Sequence, residues 1–452
     1  VYSENTNNFD NTSEILYPPG TITSATIKEA VKICSTPFYL YDGSMIEKKC
    51  RELKRMPNAF GLTVRFAIKA NPSKSVLQLI DRQGLMFEAG SLNEVKRAQN
   101  AGIPLKKILL TSQDTVYGED LDEVKIMMTS GLNYTICSFN QLKNIADFAS
   151  VNNTQLSIRI HPGMGSGESA TRNTGDLYAS FGVQKSELPE VFSYAKKNGI
   201  KFTRLHVHIG SGSDPDKWKE NVDKTLETVE KHFPDVTIVD LGGGFKVARM
   251  PDEKSADIID LGNYTKQKFT DFYFKTGRQL SLEIEPGTFV VANSGFLVTS
   301  VIDIKPNQNN SFTFYVLNGG MESNPRPLMY GSSHPFYIVD KNGKLIWSDY
   351  SKIKNSSKGV LVGRCCETGD SQCLNPDGTI DPRPMATPEI GDYVVIGGTG
   401  AYCSSMAPFN YNSYLQAAEL MKLNDNSILL IRKQQTFDQL TANELSIEDN
   451  SR

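Results

Sequence analysis

Eight short apolar runs recur between about residue 60 and Gly287, with stretches of helical spacing between them. The runs are LTVRFAIKAN ending at Asn71, LMFEAGS at Ser91, KILLTSQ at Gln113, YTICSF at Phe139, LSIRIHPG at Gly163, RLHVHIGS at Ser211, VTIVDLGGG at Gly244 and LSLEIEPG at Gly287. The intervening segments, such as SVLQLIDRQG and SLNEVKRAQNAG, have helical spacing, and several close with the glycine that favours a helix C-terminus. Strands that are nearly continuous in apolar residues are buried on both faces. Eight of them alternating with helices predict an α/β fold, a (β/α)8 TIM barrel over residues 45–287. An open doubly wound sheet is the alternative, and the absence of a GxGxxG turn after the first run weighs against it.

Beyond Gly287 the pattern changes to strand-like runs without regular helices, from TFVVANSGFLVTSVIDIK to NSILLIRK. These predict a mainly antiparallel β-barrel or sandwich domain over residues 288–440, which the strand TPFYLYD within residues 21–44 joins. Residues 1–20 and 441–452 read as tails. The first of these is rich in Asn, Ser and Thr and has too few apolar positions to offset its ordering entropy.

A net charge of −3 on 452 residues supplies no basic field for nucleic acid. No apolar run is long enough to cross a bilayer, and the first residues lack the basic and apolar regions of a signal peptide. Seven cysteines without paired spacing point to a reducing, cytoplasmic setting.

In a barrel the C-terminal strand ends form one rim, where active sites are built. Lys69, Glu88, Thr111, Ser138, His161, His208, Gly242 to Gly244 and Glu285 all fall at predicted strand ends. A lysine ending a buried strand is expected to be desolvated, which lowers its pKa and makes its amine nucleophilic towards an aldehyde; most lysines at strand ends are simply solvated. The three glycines after VTIVDL let backbone N–H groups approach a phosphate, or else serve a loop that merely needs positive φ. Of the two histidines in HVHIGSG, opposite faces of the strand are expected, so that one alone looks into the barrel. Glu285 can hold a protonated ring nitrogen or pair with a lysine or arginine. Together, an imine-forming lysine, a phosphate loop, an acid for a pyridinium and a histidine to stack on a ring are what pyridoxal 5′-phosphate requires.

The ordered set FAIKAN, HVHIGSG, LGGGF, EIEPG, GRCCETGD and GAYCSSM resembles the barrel-type (fold III) pyridoxal-phosphate decarboxylases, which include diaminopimelate and ornithine decarboxylases. The resemblance implies a homodimer with active sites shared between subunits. It gives Lys69 the Schiff-base role, makes His208 the ring-stacking histidine and Glu285 the partner of the pyridine nitrogen, ionised so as to keep that nitrogen protonated. Ser211, Gly243 and Gly244 then hold the phosphate, with Tyr402 close by, and Gly287 is a further cofactor-binding residue. Cys366 and Glu367 match the cysteine and acid contributed across the dimer interface, with Cys366 as the acid that protonates Cα. Cys365 reads as a buried thiol of the β domain.

The segment PRPLMYGSSH is similar to the RPxLY pattern by which diaminopimelate decarboxylases hold the far end of their substrate, which gives Arg326 and Tyr330 a substrate carboxylate. The resemblance implies conversion of meso-2,6-diaminopimelate to L-lysine, in lysine biosynthesis. A lysine, ornithine or other amino-acid decarboxylase of the same fold is the alternative, and a racemase fits less well because it expects arginine, not Glu285, at the ring nitrogen. Two positions depart from the pattern: Thr288 stands where the family has arginine after EPG, and Thr399 where relatives often carry an acid. Arg172 is a candidate to make up the missing charge, although nothing in the sequence places it.

Overall fold

The computed structural model describes residues 14–167, 172–351 and 356–447. The chain divides into two compact units. One comprises Ile46–Ala248 and Asp252–Ala292; the other takes the residues up to Met45, Arg249–Pro251 and everything from Asn293 on. Strand β1 (Phe38–Asp42) belongs to the second unit.

The first unit is the expected closed parallel barrel. Its strands are β2 (Leu62–Ala67), β3 (Met86–Ala89), β4 (Ile108–Thr111), β5 (Asn133–Ile136), β6 (Leu156–Arg159), β7 (Phe202–His206), β8 (Ile238–Asp240) and β9 (Ser281–Ile284), each beside the next, with β2 also paired to β9. Helix boundaries follow from local chemistry. Asp214 caps Pro215–His232 by accepting from the Asp216 and Lys217 amides, with proline at the position whose N–H is not needed. Helix Ile258–Thr276 stops at Gly277, whose φ of +74° is the left-handed conformation glycine adopts without strain.

The interior of the barrel is layered by the two-residue period of its strands. In one layer Glu283 of β9 receives Arg65 Nε of β2 at 3.0 Å and Arg204 Nη2 of β7 at 3.2 Å, while Arg204 Nη1 also donates to Ser157 Oγ of β6 at 2.9 Å. Side chains from strands that are not neighbours meet only through the lumen. Towards the C-terminal ends come His206, the last residue of β7, and, just past the strands, His208 and Glu285, so ionisable groups continue there as well.

The second unit carries a ten-stranded sheet. After β1 its strands are β10 (Gly295–Pro306), β11 (Thr313–Leu317), β12 (Phe336–Val339), β13 (Leu345–Ser348), β14 (Ser357–Val362), β15 (Arg383–Met385), β16 (Tyr393–Gly397), β17 (Ala418–Lys422) and β18 (Ile428–Arg432). The main path runs β13-β12-β16-β10-β1-β17-β18. Pairs β1–β17 and β11–β14 are parallel, and the other pairings among the described residues are antiparallel. Phe38 and Leu40 pack with Phe296, Val298, Val395 and Leu420 in its core, each worth about 1.5–3 kcal/mol when fully buried.

Several local expectations change. Residues 288–294, read as the start of a strand, form a short helix and a 3-10 turn before β10. Helix Ser24–Ile33, closed at its start by a Thr23–Thr26 capping box, precedes β1. Leu16 and Gly20 are buried, so residues 14–20, read as part of a tail, are anchored at these two points while Glu14, Ile15, Pro18 and Pro19 stay exposed; residues 1–13 and 448–452, expected as tails, lie outside the described residues.

Candidate active site

Strand β2 ends at Ala67, whose N–H donates to the Pro286 carbonyl at 3.2 Å, and the chain then turns through the 3-10 segment Ile68–Ala70. Ile68 and Ala70 are buried, whereas Lys69 is exposed. The strand stops two residues before Lys69, which therefore sits in the turn after β2 and not, as expected, in the strand. It is placed there among acids and imidazoles: its charge acts on Glu88, Glu94, His208 and Glu285.

The two histidines of HVHIGSG do not look to opposite faces. His206 is buried and His208 half-buried, and the charge of Asp240 acts on both, so both imidazoles turn to the same interior cluster. His206 Nδ1 lies 3.2 Å from Asp240 Oδ2 and 3.5 Å from Glu285 Oε1. Burial pushes both imidazoles below their usual range, against the pull of Asp240 at His206 and helped by Lys69 and Arg159 at His208. Burial would raise Asp240, but His206, Glu285 and the Gly242 amide at 2.9 Å outweigh it and hold the carboxyl low. Glu285 goes the other way: burial, then the charges of Asp240 and Glu88, raise it well above the carboxylate range. Glu88 is pushed up to about 7 by burial, against the pull of Lys69. The protein's own groups thus favour a protonated Glu285, where an ionised one was expected, and a cationic ring nitrogen is the kind of charge that reverses this.

Above this cluster the loops after β7 and β8 are zipped together. Ser213 N–H donates to the Gly244 carbonyl at 2.7 Å and its hydroxyl to the Gly210 carbonyl at 3.0 Å. Gly244 has φ of +87°, and a Cβ there would lie 2.2 Å from the Gly210 oxygen; one on Gly243 would lie 2.4 Å from the Glu285 oxygen. Glycine is required at both. Among the described residues neither amide N–H donates to a protein group. Donors held open by glycines beside a neutral histidine and a buried acid fit a phosphorylated pyridine ring. The Ser211 amide is taken by the Arg172 carbonyl at 3.1 Å, which leaves its hydroxyl as the group that can reach a phosphate. Arg172, unplaced by sequence, is buried against this loop, and Gly287 is buried at the start of the four-residue helix Thr288–Val291. Of the other strand-end residues, Ser138 caps helix Phe139–Val151, Thr111 is buried at the end of β4 and His161 is bound to the Asp176 carbonyl.

The remaining candidates belong to the sheet unit. Arg326 is fully buried, with Nη2 donating to Ser332 Oγ at 3.2 Å and the guanidinium 5.6 Å from the Tyr330 ring centre. The Tyr330 hydroxyl reaches Met406 Sδ at 3.6 Å, and Tyr402 sits half-buried in a turn at φ +56°. Cys366 is exposed, its amide held by Asn412 Oδ1 at 2.8 Å, and Glu367 is exposed with its carbonyl taken by Asp370 N–H. Cys365 is half-buried, 3.6 Å from Glu322 Oε2, and Thr399 is fully buried with its hydroxyl turned to the Ile396 carbonyl.

Sequence reasoning did not select His206 or Asp240. The signal was present: His206 is two residues before His208, and Asp240 closes VTIVD just ahead of the glycines.

Residues 44–292 match the family model described as pyridoxal-dependent decarboxylase, pyridoxal binding domain. The chain is 30% identical over 428 residues to the diaminopimelate decarboxylase of Buchnera aphidicola subsp. Baizongia pistaciae, across 93% of this chain and 96% of that one. Against the enzyme of the same name from Escherichia coli K12 it is 29% identical over 418 residues, across 90% and 94%. A crystal structure of a diaminopimelate decarboxylase superposes with a TM-score of 0.85 at 27% identity, across 95% of this chain and 98% of that one. The Helicobacter pylori diaminopimelate decarboxylase complexed with L-lysine superposes at 0.77 with 27% identity, across 92% and 98%.

Proposed function

Because this chain belongs to the pyridoxal-dependent decarboxylase family, we propose that it converts meso-2,6-diaminopimelate to L-lysine, a step of lysine biosynthesis. What carries this reading is the likeness to diaminopimelate decarboxylases over nine-tenths of the chain, through both units. The likeness to a lysine/ornithine decarboxylase from Vibrio vulnificus, at 20% identity and a TM-score of 0.70, concerns the fold alone.

Pyridoxal phosphate, when bound, supplies the electron sink that lets an α-amino acid lose carbon dioxide. The Lys69 amine is the group that would hold it, the Gly243 and Gly244 amides and the Ser211 hydroxyl would take its phosphate, neutral His208 would lie against its ring, and Glu285 would face the ring nitrogen. Tyr402 and Gly287 complete the cofactor set. Arg326 offers a planar fork for the far carboxylate, which a lysine or ornithine substrate lacks, and Tyr330 adds a hydrogen bond. Cys366 would hold the proton delivered to Cα, with Glu367 beside it. Both are exposed in the single chain, consistent with a homodimer in which each subunit completes its partner's site.

We also place the protein in the cytoplasm, which suits its seven free cysteines. Among the described residues no helix is long and apolar enough to cross a membrane.

Carbon dioxide release from meso-diaminopimelate, lysine and ornithine tests the proposal. The expected result is release from meso-diaminopimelate, with Arg326→Ala costing it about a hundredfold or more. Release from lysine or ornithine but not from meso-diaminopimelate overturns the substrate.

A further inference from the structure

His161, which sequence places on the catalytic rim, lines a different cavity. Helices Leu188–Lys197 and Pro215–His232 follow β6 and β7, and a cleft of about 600 Å³ opens between them on the barrel's outer wall. One wall is apolar and preformed. Phe192 stacks on His232 with 6.3 Å between ring centres and meets Phe233 edge-on at 5.1 Å, and Leu188 lies one turn before it. His161 is part of the fixed frame: Nδ1 accepts from the Gly163 amide at 3.1 Å, so Nε2 carries the hydrogen and donates to the Asp176 carbonyl at 2.9 Å.

Asn221 is the exception to this satisfied frame. It lines the cleft, is 1% exposed, and its Nδ2 has no hydrogen-bond partner among the described residues, while Oδ1 accepts from Thr225 at 3.5 Å. A buried donor left unmatched costs about 1–3 kcal/mol, which a ligand offering an oxygen lone pair recovers. The lining also holds Lys185, Lys224 and Lys231 against the single acid Glu227. Lys224 is paired with Glu220 at 2.7 Å, whereas Lys185 and Lys231 enter no ion pair among the described residues.

We propose that this cleft binds a small amphipathic carboxylate. One carboxylate oxygen accepts from Asn221 Nδ2, the charge is met by Lys185 and Lys231, and the aromatic or branched aliphatic body packs on Phe192 and Leu188. A small hydrated anion gains nothing from that wall, and a neutral analogue gains nothing from the lysines. The lining includes Val207, which lies between His206 and His208 in the chain.

Phenylacetate is a suitable probe, titrated into the full-length, cofactor-loaded protein by calorimetry and by the fluorescence of Trp218, buried three residues before Asn221. Saturable binding is expected, with 2-phenylethanol and inorganic phosphate each weaker by about tenfold or more. Asn221→Leu and Lys231→Glu should each weaken phenylacetate by about tenfold without moving the affinity for pyridoxal phosphate. Lys231→Glu, a surface change, decides alone if Asn221→Leu does not fold. Absence of saturable binding, equal binding of phenylacetate to wild type and Lys231→Glu, or loss of binding in Lys69→Ala, which would put the probe in the barrel mouth, overturns the assignment.

Discussion

His206 Nδ1 lies 3.2 Å from Asp240 Oδ2, and both side chains are sealed from solvent. The contact holds Asp240 ionised, and that charge is in turn one reason, after burial, that Glu285 stays protonated. Two carboxyl groups and one imidazole therefore share a proton inventory that neither acid sets alone.

Asp240→Asn removes the negative charge that raises Glu285. Glu285 should then ionise at lower pH, and the acid limb of pyridoxal phosphate affinity should move down with it, since the ionised acid is the form that holds a cationic ring nitrogen. Cofactor titrations across pH in wild type and variant measure this. A limb that stays in place or moves up contradicts the coupling.

Glu88 gives a stability prediction with a definite sign. Its carboxyl is raised from the ordinary 4.5 to about 7, so between those values the folded protein keeps a proton that the unfolded chain has lost. Stability on this account falls as pH rises through that window, by up to about 3 kcal/mol, and is flat above it. Glu88→Gln mimics the protonated form. Denaturant melts of cofactor-stripped protein should show the variant gaining on wild type from pH 4.5 to 7. A gain that is constant across this range would mean that Glu88 titrates normally.

The barrel was legible because buried parallel strands leave little room for polar residues, as in ILLT of β4, and the glycine run announced its own backbone need. Other features depended on partners remote in sequence. Strand β17 reads AELMK, which lacks such apolar continuity, yet Glu419 is buried against Arg432 at 3.2 Å and Tyr41 at 3.1 Å, and Lys422 reaches Asn426 at 2.9 Å. Satisfied charges hid a central strand. Exposure of Lys69 turned on a three-residue 3-10 segment, which strand periodicity does not register. The facing of His206 and His208 was misread: a two-residue spacing in extended chain returns to the same side, and it does so here although β7 ends at His206.

Deeper in the lumen Glu283 is clamped by Arg65 and Arg204, all three nearly inaccessible. Glu283→Gln leaves two guanidinium groups buried without their counter-charge, and removing one partner of such a pair costs about 3–5 kcal/mol. Denaturant melts at pH 7 should show this loss. A change below about 1 kcal/mol would mean that water already screens the layer.

Lys69 and Gly244 separate covalent attachment from phosphate binding. Lys69→Ala removes the amine but none of the donors after β8, so it should abolish turnover and the near-visible absorbance of lysine-linked pyridoxal while the phosphate group still binds. Gly244→Ala does the reverse. Its Cβ would sit 2.2 Å from the Gly210 carbonyl at a φ of +87°, so the loop must move and the amides lose their aim, while the amine is untouched. Cofactor affinity should fall by about tenfold or more, yet cofactor forced on at high concentration should still absorb as a lysine adduct and bleach with borohydride. Absorbance and borohydride trapping that survive in Lys69→Ala would remove Lys69 from its role; an unchanged affinity in Gly244→Ala would move the phosphate elsewhere on the rim.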